Sequence, residues 1–169
     1  ARMLAPLIRE IVLRVPEDTA FTPRPGAFVQ ITAPPYDLDF SRISVDPGFE
    51  DIWARLGWRA LHGEARSPAT RAYSLANRPD DAQSIVLTVR LAVPPGGGEA
   101  IPPGVVSSYL FSVEPGDRVA VSGPYGTFGA RDSAREMVFI GGGVGMAPLR
   151  AIIHNQLTDR KTTREMSFW

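Results

Sequence analysis

Arg71-Ala-Tyr-Ser-Leu-Ala-Asn77 places a cation, an aromatic ring, a hydroxyl and an amide within seven residues. In an extended chain side chains repeat every two residues, so Arg71 and Tyr73 share a face. A forked guanidinium beside a planar ring suits a ligand that carries both a phosphate and a flat heterocycle. The guanidinium grips phosphate oxygens bidentately and the ring covers the heterocycle. The same residues also fit a half-buried strand with a surface arginine and a cross-strand tyrosine.

A second motif favours the ligand. Met137-Val-Phe-Ile140 is a short apolar run, and Gly141-Gly-Gly-Val-Gly-Met-Ala-Pro148 follows it directly. Leu149, Ile152, Ile153 and Leu157 then recur on one helical face. Strand, glycine turn and helix form the setting of a dinucleotide-binding loop. Glycine lets the backbone approach a pyrophosphate, and the helix N-terminus offers free N–H groups and partial positive charge. Gly142, Gly143, Val144, Gly145, Met146 and Ala147 are the candidate lining of that loop. The spacing departs from G-x-G-x-x-G, with Pro148 in place of the third glycine. Proline is at home in a first helical turn, where its missing N–H costs nothing.

A third candidate lies between them. Pro102-Pro-Gly104 precedes a short helix read over Val105 to Ser112. Gly104, Val105, Val106, Ser107 and Ser108 can present N–H groups to an anion, and the two serines add hydroxyl donors. An ordinary capped helix has the same beginning. With Arg71 on a neighbouring strand, a pyrophosphate site is the better reading. Arg90, in Val89-Arg-Leu91, is either a weaker phosphate ligand or a strand surface charge.

The two glycine- and arginine-centred motifs, in this order and about seventy residues apart, resemble the ferredoxin-NADP reductase superfamily. Within it the chain is similar to the family of F subunits of bacterial sodium-translocating NADH:quinone oxidoreductases. Pro34-Pro-Tyr-Asp-Leu-Asp-Phe40, Arg71 to Asn77, Pro102-Pro-Gly-Val-Val-Ser-Ser-Tyr109 and Glu165-Met-Ser-Phe-Trp169 carry that likeness. The resemblance implies FAD as cofactor and NADH as substrate, with hydride passing from NADH to FAD. Single electrons would then go to a [2Fe-2S] centre and on to sodium-pumping reduction of ubiquinone. It implies Arg71 on the flavin pyrophosphate with the turn at Gly104 to Ser108, Tyr73 against the isoalloxazine ring and Ser74 as a hydrogen-bond donor beside it. Asn77 and Arg90 join the flavin set, and Gly142 to Ala147 the NADH side. No side chain is required as acid or base, because the cofactor carries the chemistry.

The resemblance also implies that the whole protein is longer, with a membrane helix and a [2Fe-2S] domain that precede this chain. Its partners would be that domain and the other subunits of a membrane-bound sodium-pumping complex, at the cytoplasmic face of the bacterial inner membrane. The 169 residues contain no cysteine, so they carry no cysteine-ligated cluster. Two histidines, His62 read in a solvated loop and His154 off the helix stripe, do not suggest a metal site. Lysine plus arginine number 18 and acids 18, a balance that argues against nucleic acid as a partner. Two other functions stay open: the flavin reductase component of an oxygenase system, and a flavin-binding module that does not turn over by itself. The residues alone do not separate FAD from FMN, or NAD from NADP.

The elements that must position these groups are mainly β. Strands are read over residues 7–15, 27–32, 71–77, 84–92 and 118–122, separated by turn clusters at Pro23-Arg-Pro-Gly26, Pro79-Asp-Asp81, Pro94 to Gly98 and Glu114-Pro-Gly-Asp117. They suggest an antiparallel six-stranded Greek-key barrel with the short helix capping it. Residues 1–130 would be the FAD-binding barrel with an insert at 34–70. Residues 131–169 would be the first β-α unit of a Rossmann-like NADH domain, cut short, so that NADH oxidation is poor and an apolar edge is left near Met166, Phe168 and Trp169. In the insert, Asp46 is a helix N-cap followed by Pro47. Phe49, Ile52, Trp53 and Leu56 make a stripe, and Gly57 ends the helix. Asp37, Asp39, Asp46, Glu50 and Asp51 give the insert a solvated acidic face or a docking face.

Overall fold

The computed structural model describes residues 1–78, 81, 83–94 and 101–169. The turn expected at Pro79-Asp80 and the loop at Pro95 to Gly98 lie outside the described residues. The strands are β1 (Arg2–Ala5), β2 (Ile8–Arg14), β3 (Phe28–Ala33), β4 (Tyr36–Asp39), β5 (His62–Ala65), β6 (Ala69–Ser74), β7 (Ser84–Arg90), β8 (Ala120–Tyr125), β9 (Met137–Phe139) and β10 (Met166–Phe168). The helices are α1 (Glu50–Arg55), α2 (Val105–Ser112) and α3 (Met146–His154).

The fold is mainly β, as read from the sequence. Two three-stranded sheets, ordered β1-β2-β7 and β6-β3-β8, carry the barrel strands; β4 and β5 pair separately, as do β9 and β10. Alternation decides which side chains point inward. In β3, Val29, Ile31 and Ala33 are fully buried, and in β7, Leu87 and Val89 are. Two features exceed what the sequence pattern predicts: β1, which runs antiparallel to β2, and the β4–β5 hairpin inside the insert. His62 therefore sits on a strand rather than in a loop. Its ring stands 3.6 Å from Asp37 and 3.9 Å from Asp39, all three exposed. The strand expected over 118–122 is displaced to Ala120–Tyr125 and continues through Gly123-Pro124, because pairing with β3 outweighs the local turn signal.

By contact the chain divides into two compact units that cut across the expected 1–130 and 131–169 division. The first holds Ala1–Glu10, Gln30–Arg71 and Val89–Val121; the second holds Ile11–Val29, Ala72–Thr88 and Ser122–Trp169.

The first unit is organised around Trp53. The ring is fully buried, its indole N–H donates to the Pro6 carbonyl at 2.6 Å, and Phe40 and Trp58 pack on it at 6.4 and 5.8 Å. Asp46 caps the start of this segment by accepting from Gly48 N–H at 3.0 Å, with Pro47 next, and Gly57 at φ +69° ends it. Arg59 closes the insert. It donates to the carbonyls of Phe40, Ser41 and Ile43, pairs with Glu50 at 2.5 Å and lies over Trp53. Leu56 does not complete the stripe; it is 51% exposed, because α1 ends at Arg55 and the chain turns away at Gly57.

In the second unit β9 and β10 run parallel, Met137 beside Met166 and Phe139 beside Phe168. Leu149 and Ile152 of α3 pack on Met137 and Phe139. Leu157, expected on the same stripe, is exposed. The strands beneath are three residues long, about 10 Å, and Leu157 lies about 12 Å along the helix axis from Leu149, beyond their end. The last turn, Asn155–Asp159, also widens into a π-turn.

Trp53→Ala should lower the stability of this chain by about 3–5 kcal/mol, and Leu56→Ala by less than about 0.5 kcal/mol, read from denaturant midpoints. Burial pushes the Tyr36 phenol above its ordinary range, with the Ser108 hydroxyl opposing; burial and then the Asp117 charge do the same to Tyr109. A raised tyrosine contributes stability that is whole below its unfolded value, about 10, and lost as pH climbs through the folded one. Above about pH 10 the melting temperature should fall more steeply in the wild type than in a Tyr36→Phe/Tyr109→Phe variant.

Candidate functional site

In the first unit the anion-binding candidates are backbone N–H groups of α2 and two arginines. Gly104 is the N-cap residue, extended at φ −65° and ψ 122°. A Cβ there would lie 2.8 Å from the Ala92 Cβ and 2.8 Å from the Ser107 hydroxyl, so only glycine fits. Gly104 N–H donates to Ala92 O at 2.8 Å, and Ala92 N–H donates to the Ser107 hydroxyl at 3.2 Å. The helix start is thus pinned to the chain just beyond β7.

The serine hydroxyls are not aimed outward as the sequence suggests. Ser107 and Ser108 both donate to Gly104 O, at 3.0 and 2.8 Å, and both are buried. Serines in a first helical turn readily bond back to a carbonyl three or four residues earlier. What remains for a ligand is the amides of Val105, Val106 and Ser107, which have no intrahelical acceptor. Val106 is buried, so it can contribute through its backbone alone. No acid lies in this turn to oppose an anion.

Arg71, on the exposed part of β6, spends one N–H on the Thr70 carbonyl at 2.8 Å. Thr70 in turn shares a hydroxyl hydrogen bond with Thr32 at 2.8 Å. Arg71 and Arg90 have no carboxylate partner among the described residues, and both are exposed. A guanidinium with four unspent donors, in the same compact unit as an acid-free helix start, fits a phosphate or diphosphate.

The second unit holds the other half of the motif. Tyr73 and Ser74 are half-buried at the end of β6. Leu75, Ala76 and Asn77 then turn inward and are buried. Here the chain exchanges partners: Leu75 N–H donates to Ala27 O at 2.9 Å, and Ala76 N–H to Val86 O at 2.8 Å. Asn77 works on its own chain. Its amide donates to the carbonyls of Asp81 and Ser84 and accepts from Val86 N–H at 3.0 Å.

The glycine loop divides by the same test of space. A Cβ at Gly141 would sit 2.5 Å from Leu149, and Gly143 has φ +56°, a left-handed value that favours glycine. Gly142 and Gly145 face open space with ordinary backbone angles, φ −147° and −61°. Nothing among the described residues demands glycine at either. Val144 and Met146 are half-buried, and Met146 packs against the α3 core. Ala147 is buried against Ala76 and Val86, so the helix that begins at the glycine loop rests on β7 and on the segment after β6 that carries Asn77. Among the described residues no helix is long and apolar enough to cross a membrane.

The chain is similar to known proteins in sequence and in fold. A family model described as "Oxidoreductase FAD-binding domain" matches residues 60–129. The F subunit of the Na(+)-translocating NADH-quinone reductase of Methylococcus capsulatus is 46% identical over 99% of this chain and 42% of its own length. The protein of the same name in Idiomarina loihiensis is 41% identical over 98% of this chain and 41% of its own. The chain therefore spans about two-fifths of the length of these curated relatives. Among solved structures, the FAD/NAD binding domain of a nitric oxide dioxygenase from Vibrio cholerae superposes with a TM-score of 0.67 at 24% identity, over 99% of this chain and 58% of that one. It has the same fold.

The space test gives a direct stability prediction. Gly141→Val should destabilise the chain by about 1–3 kcal/mol through overpacking on Leu149. Gly145→Val should leave the unfolding midpoint unchanged to within about 0.5 kcal/mol.

Proposed function

Over the two-fifths of its relatives' length that it spans, the chain belongs to the family of F subunits of Na(+)-translocating NADH-quinone reductases, and on that premise we propose that it is the flavin-holding part of an NADH dehydrogenase. Bound FAD would supply the chemistry, accepting two electrons as hydride from NADH and releasing them singly. The electrons would pass to a [2Fe-2S] centre elsewhere in the whole protein. They would then feed quinone reduction by the other subunits of a membrane-bound sodium-pumping complex, at its cytoplasmic face. Residues 1–130 serve as the flavin domain in this reading, and 131–169 begin the nucleotide domain.

Each side chain has a physical task. Arg71 and the amides of Val105, Val106 and Ser107 hold the flavin pyrophosphate. Gly104 keeps those amides against Ala92, and Ser107 and Ser108 brace the same turn. Tyr73 packs on the flavin ring, and Ser74 hydrogen-bonds at its edge. Asn77 holds the turn that fixes both. Arg90 adds positive charge near the helix start. Gly142 and Gly145 leave the NADH backbone room to approach, with Gly143, Val144, Met146 and Ala147 shaping the loop. No group here needs to move a proton.

The observation that carries the reading is Arg71 with no carboxylate partner among the described residues, in one compact unit with an acid-free helix N-terminus whose glycine is sterically required. A visible spectrum of the purified protein, with the extracted flavin identified by chromatography, tests it first. Arg71→Ala should weaken FAD binding roughly 10- to 100-fold, the scale of a lost charge-assisted hydrogen bond, and riboflavin binding little. Equal loss for both ligands refutes the phosphate role. Tyr73→Ala should weaken both. In the whole protein Gly145→Val should raise the KM for NADH with bound flavin retained; an unchanged KM makes the loop a tight turn only.

A further inference from the structure

The insert between β3 and β6 reaches the helix that the flavin reading assigns to the pyrophosphate. β4 and β5 both pack on α2. Gly63 of β5 comes so close that an added Cβ would lie 3.4 Å from the Ser108 Cβ. From β4, the Tyr36 hydroxyl donates to the Val105 carbonyl at 2.6 Å, and its ring lies 6.2 Å from that of Tyr109. Arg9 of β2 ties the far end of the helix to the insert. Buried Arg9 donates to the Phe111 carbonyl at 2.6 Å and to Ser44 O, with its guanidinium 4.7 Å from the centre of the Phe111 ring.

Such bracing matters because α2 is short. Eight residues make about two turns, a length at which an isolated helix is marginal in water. Its N-cap is glycine, and no side chain caps the first turn. The amides of Val105, Val106 and Ser107 converge on an anion only while that turn stays wound. Tyr36 grips the carbonyl of the residue that opens it.

We propose that Tyr36 is a positioning residue for the flavin pyrophosphate: its hydroxyl, delivered by the inserted hairpin to the Val105 carbonyl, keeps the first turn of α2 wound and its amides convergent. The inference rests on the flavin reading above and adds a role for the insert within it. The insert is then a brace for the phosphate end of the cofactor. Preorganisation of this kind raises affinity by removing the ordering cost from the binding step.

The test compares Tyr36→Phe with Tyr109→Phe, measuring affinities for FAD and riboflavin by fluorescence and the melting temperature of the flavin-free protein. Tyr109 lies on the same helix, and its hydroxyl reaches the Arg118 carbonyl at 3.3 Å, away from the first turn. Tyr36→Phe should weaken FAD roughly two- to tenfold, the scale of one hydrogen bond. Riboflavin affinity should be unchanged, the melting temperature should fall by no more than the few degrees that one hydrogen bond supports, and Tyr109→Phe should bind FAD as the wild type does. Unchanged FAD affinity in Tyr36→Phe overturns the proposal. So does an equal loss for FAD and riboflavin with a lowered melting temperature, or an equal loss in Tyr109→Phe. The underlying reading is judged separately: if Arg71→Ala discriminates FAD from riboflavin and Tyr36→Phe does not, the pyrophosphate site stands and the brace falls.

Discussion

Three small side chains, Ala76, Val86 and Ala147, meet in the second unit, and the geometry of both candidate motifs depends on that contact. Ala76 belongs to the arginine-tyrosine motif, and Ala147 is the second residue of the helix that follows the glycine loop. Each is at most 4% exposed. Because the three are small, the backbones approach closely, and the loop is set at a fixed distance from the strand. The hydrogen bonds of Asn77 to Asp81, Ser84 and Val86 hold the same point from the other side. A close-packed interior has no slack to absorb a larger residue there.

Around that anchor the glycines sort into two kinds, and the sorting separates architecture from function. Gly104 and Gly141 are demanded by neighbouring atoms of the chain, and Gly143 by its left-handed backbone. Gly142 and Gly145 are demanded by nothing among the described residues. A residue whose small size has no internal cause is the natural place to look for an external one. The serines of α2 teach the complementary lesson: two hydroxyls placed by sequence for a ligand are consumed by the Gly104 carbonyl.

Much of this was legible in the sequence where local signals and tertiary demands agree. Helix α2 begins and ends where Pro102-Pro-Gly104 and the apolar run place it, at Val105 and Ser112. The Asp46-Pro47 start and the Gly57 stop also stand as read. The β4–β5 hairpin was legible in principle: Tyr36 and Leu38 alternate with Asp37 and Asp39, but four residues are too few to stand out beside a proline pair. Strand β1 is four residues long, and Pro6 and Leu7 alone separate it from β2, too little to mark a strand of its own. Leu56 and Leu157 failed for one reason. Periodicity says which face a residue occupies, and it is silent on whether anything lies opposite that face. The π-turn and the handover of Leu75 and Ala76 between strands depend on packing alone, and no residue type announces them.

Buried Arg9 and partly buried Arg59 share one solution: backbone carbonyls accept most of the hydrogen bonds they make. Arg59 also has Glu50, but among the described residues Arg9 bonds to carbonyls only, and burial lowers its pKa; a guanidinium keeps its charge in proteins. Its charge therefore meets no carboxylate among the described residues where it sits, at the last turn of α2. The opposite end of that helix lies about 12 Å away. At such a separation, and with an effective dielectric near 20, a unit charge still contributes on the order of 1 kcal/mol. Mobile ions attenuate fields between exposed charges within about 10 Å at 0.1 M ionic strength, and enclosed charges far less. An anion held at the first turn would thus feel two attractions of different character. The one from Arg71 fades as salt is added, and the one from Arg9 persists.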